Sequence, residues 1–168
     1  LRKAGAVIIG KTSLSELAGV VASGTPSGGN GAVGGQGVNP LGPWPTYGSS
    51  SGSAISVAAQ YAVVSIGTET AGSLVAPAGV MSLVAMKPSA GLVSGEGVIP
   101  LIRSNDGAGP MARSVRDAAL LLAAVDTAEV DYVAGLAPEA LTGIRVGVLA
   151  QDMAQAGDLA GASTRTGA

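Results

Sequence analysis

From Ala22 to Gly48 the chain is dominated by Gly, Pro, Ser, Asn and Thr, and this stretch constrains the fold more than any other feature. A run that long without helical or strand periodicity, inside a compact domain, is either functional or disordered. Apolar runs flank it on both sides, Ala6-Val-Ile-Ile9 before it and Ala54 to Ile66 after it. It therefore reads as the surround of a site held between regular elements.

Those elements can be sketched from pattern. Gly5-Ala-Val-Ile-Ile-Gly10 is a β-branched run bounded by glycines and predicts a buried strand. Ser13 with Glu16 three positions on has capping-box spacing and predicts a helix whose apolar face is Leu14, Leu17 and Ala18. Ser53 to Ala62 is small and apolar on all sides, as suits a buried helix, and Val63 to Gly67 reads as a strand. Thr68 to Ser73 is turn-like, Pro77 to Met86 a short helix, and Gly91 to Pro100 extended and punctuated by glycine. Ser114-Val-Arg-Asp117 opens a helix through Val125, and Ile144 to Leu149 predicts a last strand. Strands alternating with helices place the chain in the α/β class. The expected domain is 1–150, with 151–168, rich in Ala, Gly, Ser and Thr, as a divergent tail that frays.

Composition narrows the chemistry. With 168 residues, 47% hydrophobic against 12% charged, the chain has enough apolar material for one core. A net charge of −2, with nine scattered basic residues, gives no footprint for nucleic acid. The apolar stretches are too short and too interrupted to span a bilayer, so membrane insertion is not expected. Localisation is weakly constrained, with the cytoplasm favoured, and nothing calls for a cofactor or metal. Histidine and cysteine are both absent, which rules out a Ser-His-Asp triad, a Cys-His pair and thiolate zinc within these residues. Any nucleophilic serine here needs a different base.

Two short motifs suggest other chemistries. Gly5-x-x-x-x-Gly10-Lys11-Thr12 satisfies the phosphate-loop pattern of nucleotide hydrolases. Its intervening Ala-Val-Ile-Ile favours extended backbone, however, whereas a phosphate cradle needs amides turned inward. Gly48-Ser-Ser50-Ser-Gly52 matches the nucleophile-elbow pattern, but that elbow follows an apolar strand and works with a histidine. What precedes it here is Pro43-Trp-Pro-Thr-Tyr47.

There remain a serine cluster, an apolar helix, and a second glycine-flanked serine in Gly67-Thr-Glu-Thr-Ala-Gly-Ser73. After them come Pro77, Lys87-Pro88, Gly91-Leu-Val-Ser94, Gly97-Val-Ile-Pro100 and Gly109-Pro-Met-Ala-Arg-Ser-Val-Arg-Asp-Ala-Ala119. In this order the motifs resemble the amidase signature family, over about Gly5 to Leu149, with peptide-amidase-type members the most similar subgroup. The resemblance implies part of that family's core, a mixed β-sheet flanked by helices. It also implies an amidase that cleaves carboxylic amides of small molecules through an acyl-enzyme.

Carried over residue by residue, the resemblance makes Ser73 the nucleophile. Ser49, on a cis peptide bond, becomes the proton relay, and the amides of Thr70, Ala71, Gly72 and Ser73 become the oxyanion hole. The base of this Ser-Ser-Lys arrangement is a lysine, which the family carries on a strand upstream of the segment matching Gly5 to Thr12. It is expected before residue 1, with the chain as a central piece of a longer protein and inactive alone. Lys11 and Lys87 fall where the family does not place the base and are expected to be structural. Val75 stands where many members have an arginine suited to a carboxylate-bearing substrate, so an uncharged substrate is expected. Ala71 replaces a residue that is often Gly or Asp, and Gly95-Glu96 stands where relatives often have Ser or Arg. A structural role without catalysis, in a larger assembly, is the competing expectation for the chain as it stands.

Overall fold

A computed structural model describes residues 1–20, 28–128 and 130–147. The chain divides into two compact units, Leu1–Leu136 and Ala137–Ala168. In the second, the described residues include one 3-10 turn, Pro138–Leu141.

The first unit is built from two short strands, β1 (Asn30–Gly31) and β2 (Gly35–Gln36), helix α1 (Ser51–Ala58), strand β3 (Val64–Glu69), helix α2 (Val75–Val80), strand β4 (Val84–Ala85), strand β5 (Gly107–Ala112) and helix α3 (Val115–Val125). β1 and β2 form a small antiparallel pair inside the Gly/Pro-rich stretch, which is otherwise irregular where described. The main sheet has the order β3-β5-β4, and both of its ladders are antiparallel. The helices expected from Ser53, Pro77 and Ser114 and the strand expected over Val63 to Gly67 are present, in an α/β arrangement. β5, at the centre of the sheet, has no counterpart in the sequence reading, and it carries Pro110, a residue that central strands ordinarily exclude. Its position resolves the conflict: the Pro110 carbonyl accepts from Met86 N (3.2 Å), one residue past the end of β4. The missing N–H thus falls where the ladder has already stopped.

One face of β3 looks onto α1 and α2. Ser65 Oγ donates to Ser53 O (2.8 Å), and on the same face Gly67 lies against Ser50 and Leu74. The core between sheet and helices is Ala54, Leu74, Ala78, Met81 and Met111. Along its free edge β3 is met by hydroxyls of the α1 segment instead of another strand. Ser50 Oγ donates to Thr68 O (2.8 Å) and accepts from Thr68 N (2.9 Å), and Ser53 Oγ donates to Ile66 O (2.9 Å). Edge groups that would otherwise seek a strand are satisfied by side chains.

Four local expectations fail in whole or in part. Residues 5–10 enter no ladder among the described residues, and Val7 and Ile9 are 85% and 71% exposed. The helix after Ser13 does not form: Glu16–Gly19 is a single 3-10 turn in which Leu17 and Ala18 take φ of 47° and 61°. Competing hydrogen bonds explain this, because residues 13–15 run along the start of α1. Ser15 N donates to Ser49 O (2.9 Å) and Gly52 N to Ser13 O (2.8 Å), while the Glu16 carboxylate accepts from Ala32 N (2.9 Å) instead of closing a capping box. The helix expected over Pro77 to Met86 runs over Val75–Val80 and gives way to β4. No strand forms over 144–147, and the rest of that expectation, with the 151–168 tail, lies outside the described residues.

The cap at Ser114 forms as read. Its hydroxyl accepts from Asp117 N (3.1 Å) and donates to Asp117 Oδ2 (2.7 Å), and α3 buries Ala118, Ala119, Leu121 and Leu122. Ser114→Ala is expected to cost about 1 kcal/mol, read as a lowered denaturation midpoint with an unchanged denaturant slope.

Candidate active site

The three consecutive serines separate by environment. Ser51 opens α1 and donates to the Tyr47 carbonyl. Ser50 is committed to β3 through its hydroxyl, and its backbone N–H donates to Ser73 O (3.1 Å). Ser49 is buried, its peptide bond with Gly48 is cis, and its hydroxyl is engaged by no described residue. Ser49 and Ser73 line the same cavity. Ser50 joins the two covalently and by hydrogen bond, since it is the chain neighbour of Ser49 and the direct partner of Ser73.

β3 ends at Glu69, and the chain turns through Thr70 to Ser73, with Gly72 at φ 86°. The N–H groups of residues 70–73 donate to no acceptor among the described residues. The loop is held from outside instead. Glu69, 7% exposed, accepts from Leu74 N (2.7 Å) and Val75 N (3.0 Å), which would otherwise be orphan donors at the start of α2. Leu74 is fully buried over a cross-strand pair of glycines, Gly67 and Gly109. A Cβ at Gly67 would lie 2.7 Å from Leu74 Cδ2, and one at Gly109 2.9 Å from Leu74 Cδ1. The residue after Ser73 is thus seated on bare backbone.

Thr70 is fixed through its side chain, its hydroxyl donating to Asp106 Oδ1 (2.5 Å). Asp106 also accepts from Leu101 N (2.8 Å) and Ile102 N (3.0 Å). These bonds, the Thr70 hydroxyl foremost, together with the nearby Arg103 charge, hold its carboxyl below the ordinary aspartate range.

The cavity measures about 430 Å³. Its other wall comes from the excursion between β4 and β5, with Val93, Val98, Ile99 and Leu101 supplying apolar surface and Arg103 a cation. That wall is fastened to the end of α3, where Thr127 N donates to Leu92 O (3.3 Å) and Val93 bridges to Asp126. Tyr132 in turn donates to Asp126 Oδ2 (2.6 Å), which lowers the Asp126 carboxyl and raises the Tyr132 phenol. None of Lys3, Lys11 and Lys87 lines the cavity. Among the described residues no acidic cluster could hold a metal, and no helix is long and apolar enough to cross a membrane.

The two competing motifs lose their structural context. Gly5 to Thr12 runs without the loop and following helix that a phosphate cradle needs. In the elbow motif the central Ser50 is buried, and its hydroxyl is spent on β3. The sequence reading brought Ser49 and Ser73 together but assigned no role to Glu69, Leu74 or Asp106. Glu69 stood within the Gly-Thr-Glu motif and offered a signal; Asp106, distant in sequence, offered none.

The amidase family model matches residues 1–160. A probable amidase of Arabidopsis thaliana is 51% identical over 127 residues, 74% of this chain and 24% of that protein. A glutamyl-tRNA(Gln) amidotransferase subunit from Lawsonia intracellularis is 39% identical over 163 residues, 88% of this chain and 32% of its own length. Among solved structures, the native peptide amidase from Stenotrophomonas maltophilia superposes with a TM-score of 0.79 at 48% identity, covering 85% of this chain and 32% of that one. The chain thus spans a quarter to a third of the length of these relatives. With the match running through β3, the Thr70–Ser73 turn and β5, the chain belongs to the amidase family.

Proposed function

We propose that the chain carries the serine half of an amide-hydrolysing site, with Ser73 as nucleophile and Ser49 as proton relay. The observation that carries this reading is that Ser49 and Ser73 share one cavity beside a turn whose four amides, at residues 70–73, are unengaged. Ser73 Oγ attacks the amide carbon and gives its proton to Ser49, which passes its own to a base. The new oxyanion meets the N–H groups of Thr70, Ala71, Gly72 and Ser73, donors of a kind worth about 3–4 kcal/mol each in the transition state. Collapse breaks the C–N bond, the amine takes a proton back through Ser49, and water frees the acyl group from Ser73.

The substrate fits a small carboxylic amide with an uncharged, apolar group near the carbonyl. Val75 at the start of α2 and the Val93, Val98, Ile99 and Leu101 wall support this, as does the likeness to a peptide amidase. The base is a lysine of the Ser-Ser-Lys arrangement, and it is not one of the lysines at 3, 11 and 87, since none reaches the cavity wall. That observation also favours the second reading, in which these 168 residues alone are inert and act as part of a larger assembly.

The two readings divide on chemical rescue. A fluorophosphonate should label the chain negligibly by itself, and added ethylamine should raise labelling in proportion to free amine, with the adduct mapped to Ser73 by peptide mass spectrometry. Label mapped to another serine, or an amine response that persists in Ser73→Ala, would remove Ser73 as nucleophile. No amine response at all would leave the inert reading.

A further inference from the structure

We infer that Asp106 is a positioning residue for the proposed oxyanion turn, bracketing it to the opposite wall of the cavity through the Thr70 hydroxyl. The inference rests on the amidase reading above, because it concerns how residues 70–73 are aimed at the transition state. Asp106 lies 36 residues from Thr70 in sequence, at the foot of β5, next to Gly107, which pairs with Glu69 at the end of β3. One carboxylate accepts from the Thr70 hydroxyl at 2.5 Å and from two backbone amides of the wall, Leu101 at 2.8 Å and Ile102 at 3.0 Å. Such charge-assisted bonds are short and directional.

On the sheet side the turn is already tethered at its far end, where Glu69 holds Leu74 and Val75. Without the Asp106 bond, Thr70 would have no side-chain tether of its own among the described residues. The Thr70 end of the turn would then be held by backbone alone, at the Glu69–Gly107 pair, with the unengaged amides beyond it. Asp106 therefore sets two distances at once: how far the turn stands from the sheet, and how far the Leu101 wall stands from the turn. The first bears on transition-state stabilisation, the second on substrate binding. Thr70 serves only the first.

The asymmetry gives the test. In the intact enzyme, normalised by active-site titration, Thr70→Val should lower kcat roughly 10- to 100-fold with KM within about twofold, since small displacements of a positioned group cost on that order. Thr70→Ser should recover most of the loss. Asp106→Ala should lower kcat as much and raise KM as well. The double variant should be no worse in kcat than Asp106→Ala, because both changes cut the same link. Additive losses in kcat, or a Thr70→Val enzyme with unaltered kcat, would overturn the inference. Should Ser73→Ala retain turnover, the amidase reading fails first. Amide exchange then judges the bracket alone: Leu101 and Ile102 should exchange faster in Asp106→Ala but not in Thr70→Val, and equal protection in all three proteins would refute it.

Discussion

Ser73→Ala should lower kcat of the intact enzyme by on the order of 10⁶, the scale on which nucleophile deletions act in serine hydrolases, while leaving the melting temperature within about a degree. The small effect on folding follows from the position of the side chain. What the fold uses at position 73 is the carbonyl, which accepts from Ser50 N (3.1 Å), and the neighbouring Leu74 plug. The hydroxyl enters no hydrogen bond to a described residue, so its loss leaves no buried group unpaired. Ser49→Ala should behave differently, with kcat down roughly 10²- to 10⁴-fold as a proton relay is lost. Steady-state kinetics with an amide and an activated ester, beside thermal melts, would check both. A Ser73→Ala protein retaining a tenth of its turnover would refute the assignment.

The second large effect is structural. Gly109→Ala should destabilise the first unit by about 3 kcal/mol, the upper range for forcing extra volume into a packed core, and should slow capture of Ser73 by a fluorophosphonate. The added methyl would meet Leu74 Cδ1 and Pro88 Cδ, each at 2.9 Å, as well as the Met86 carbonyl. Leu74 could retreat, but it is the residue bonded to Ser73 and its N–H is held by Glu69 at 2.7 Å. The cost therefore divides between the sheet and the nucleophile. Leu74→Ala in the Gly109→Ala background should recover part of the stability, since it removes one side of the clash, and a double-mutant cycle on denaturation free energies measures that share. Strict additivity of the two changes would contradict the seating described here.

Much of this site was legible from residue order. Absence of histidine and cysteine demanded an unusual base, and the family resemblance carried by the ordered motifs pointed to Ser49 and Ser73, which line one cavity. The Ser114 cap was readable because all its parts lie within one turn. What pattern could not supply was pairing between distant segments. Ser13 and Glu16 present a valid capping box locally, yet the backbone at 13–15 is claimed by Ser49 and Gly52, and Glu16 by Ala32. Strand β5 left no local signal because Gly107–Ala112 holds two glycines, a proline and no β-branched residue. Asp106 gave no local signal, since its partner Thr70 lies 36 residues away, on the far side of α2 and β4 in sequence.

The serine hydroxyls stitched along β3 have a consequence for how this family can change. Ser50 and Ser53 fix the axial position of α1 against Thr68 and Ile66, and Ser50 alone ties both proposed catalytic serines together. Residues 48–58 and 64–73 thus behave as two racks of one gear, in which an inserted or deleted residue shifts one serine past the other. The turn between them, where Gln60 adopts φ 62° and Tyr61 is 76% exposed, lies outside the mesh. A residue inserted within 48–58 or 64–73 should therefore abolish capture of Ser73 by a fluorophosphonate, whereas one inserted at 60–61 should lower stability while leaving the two serines in register.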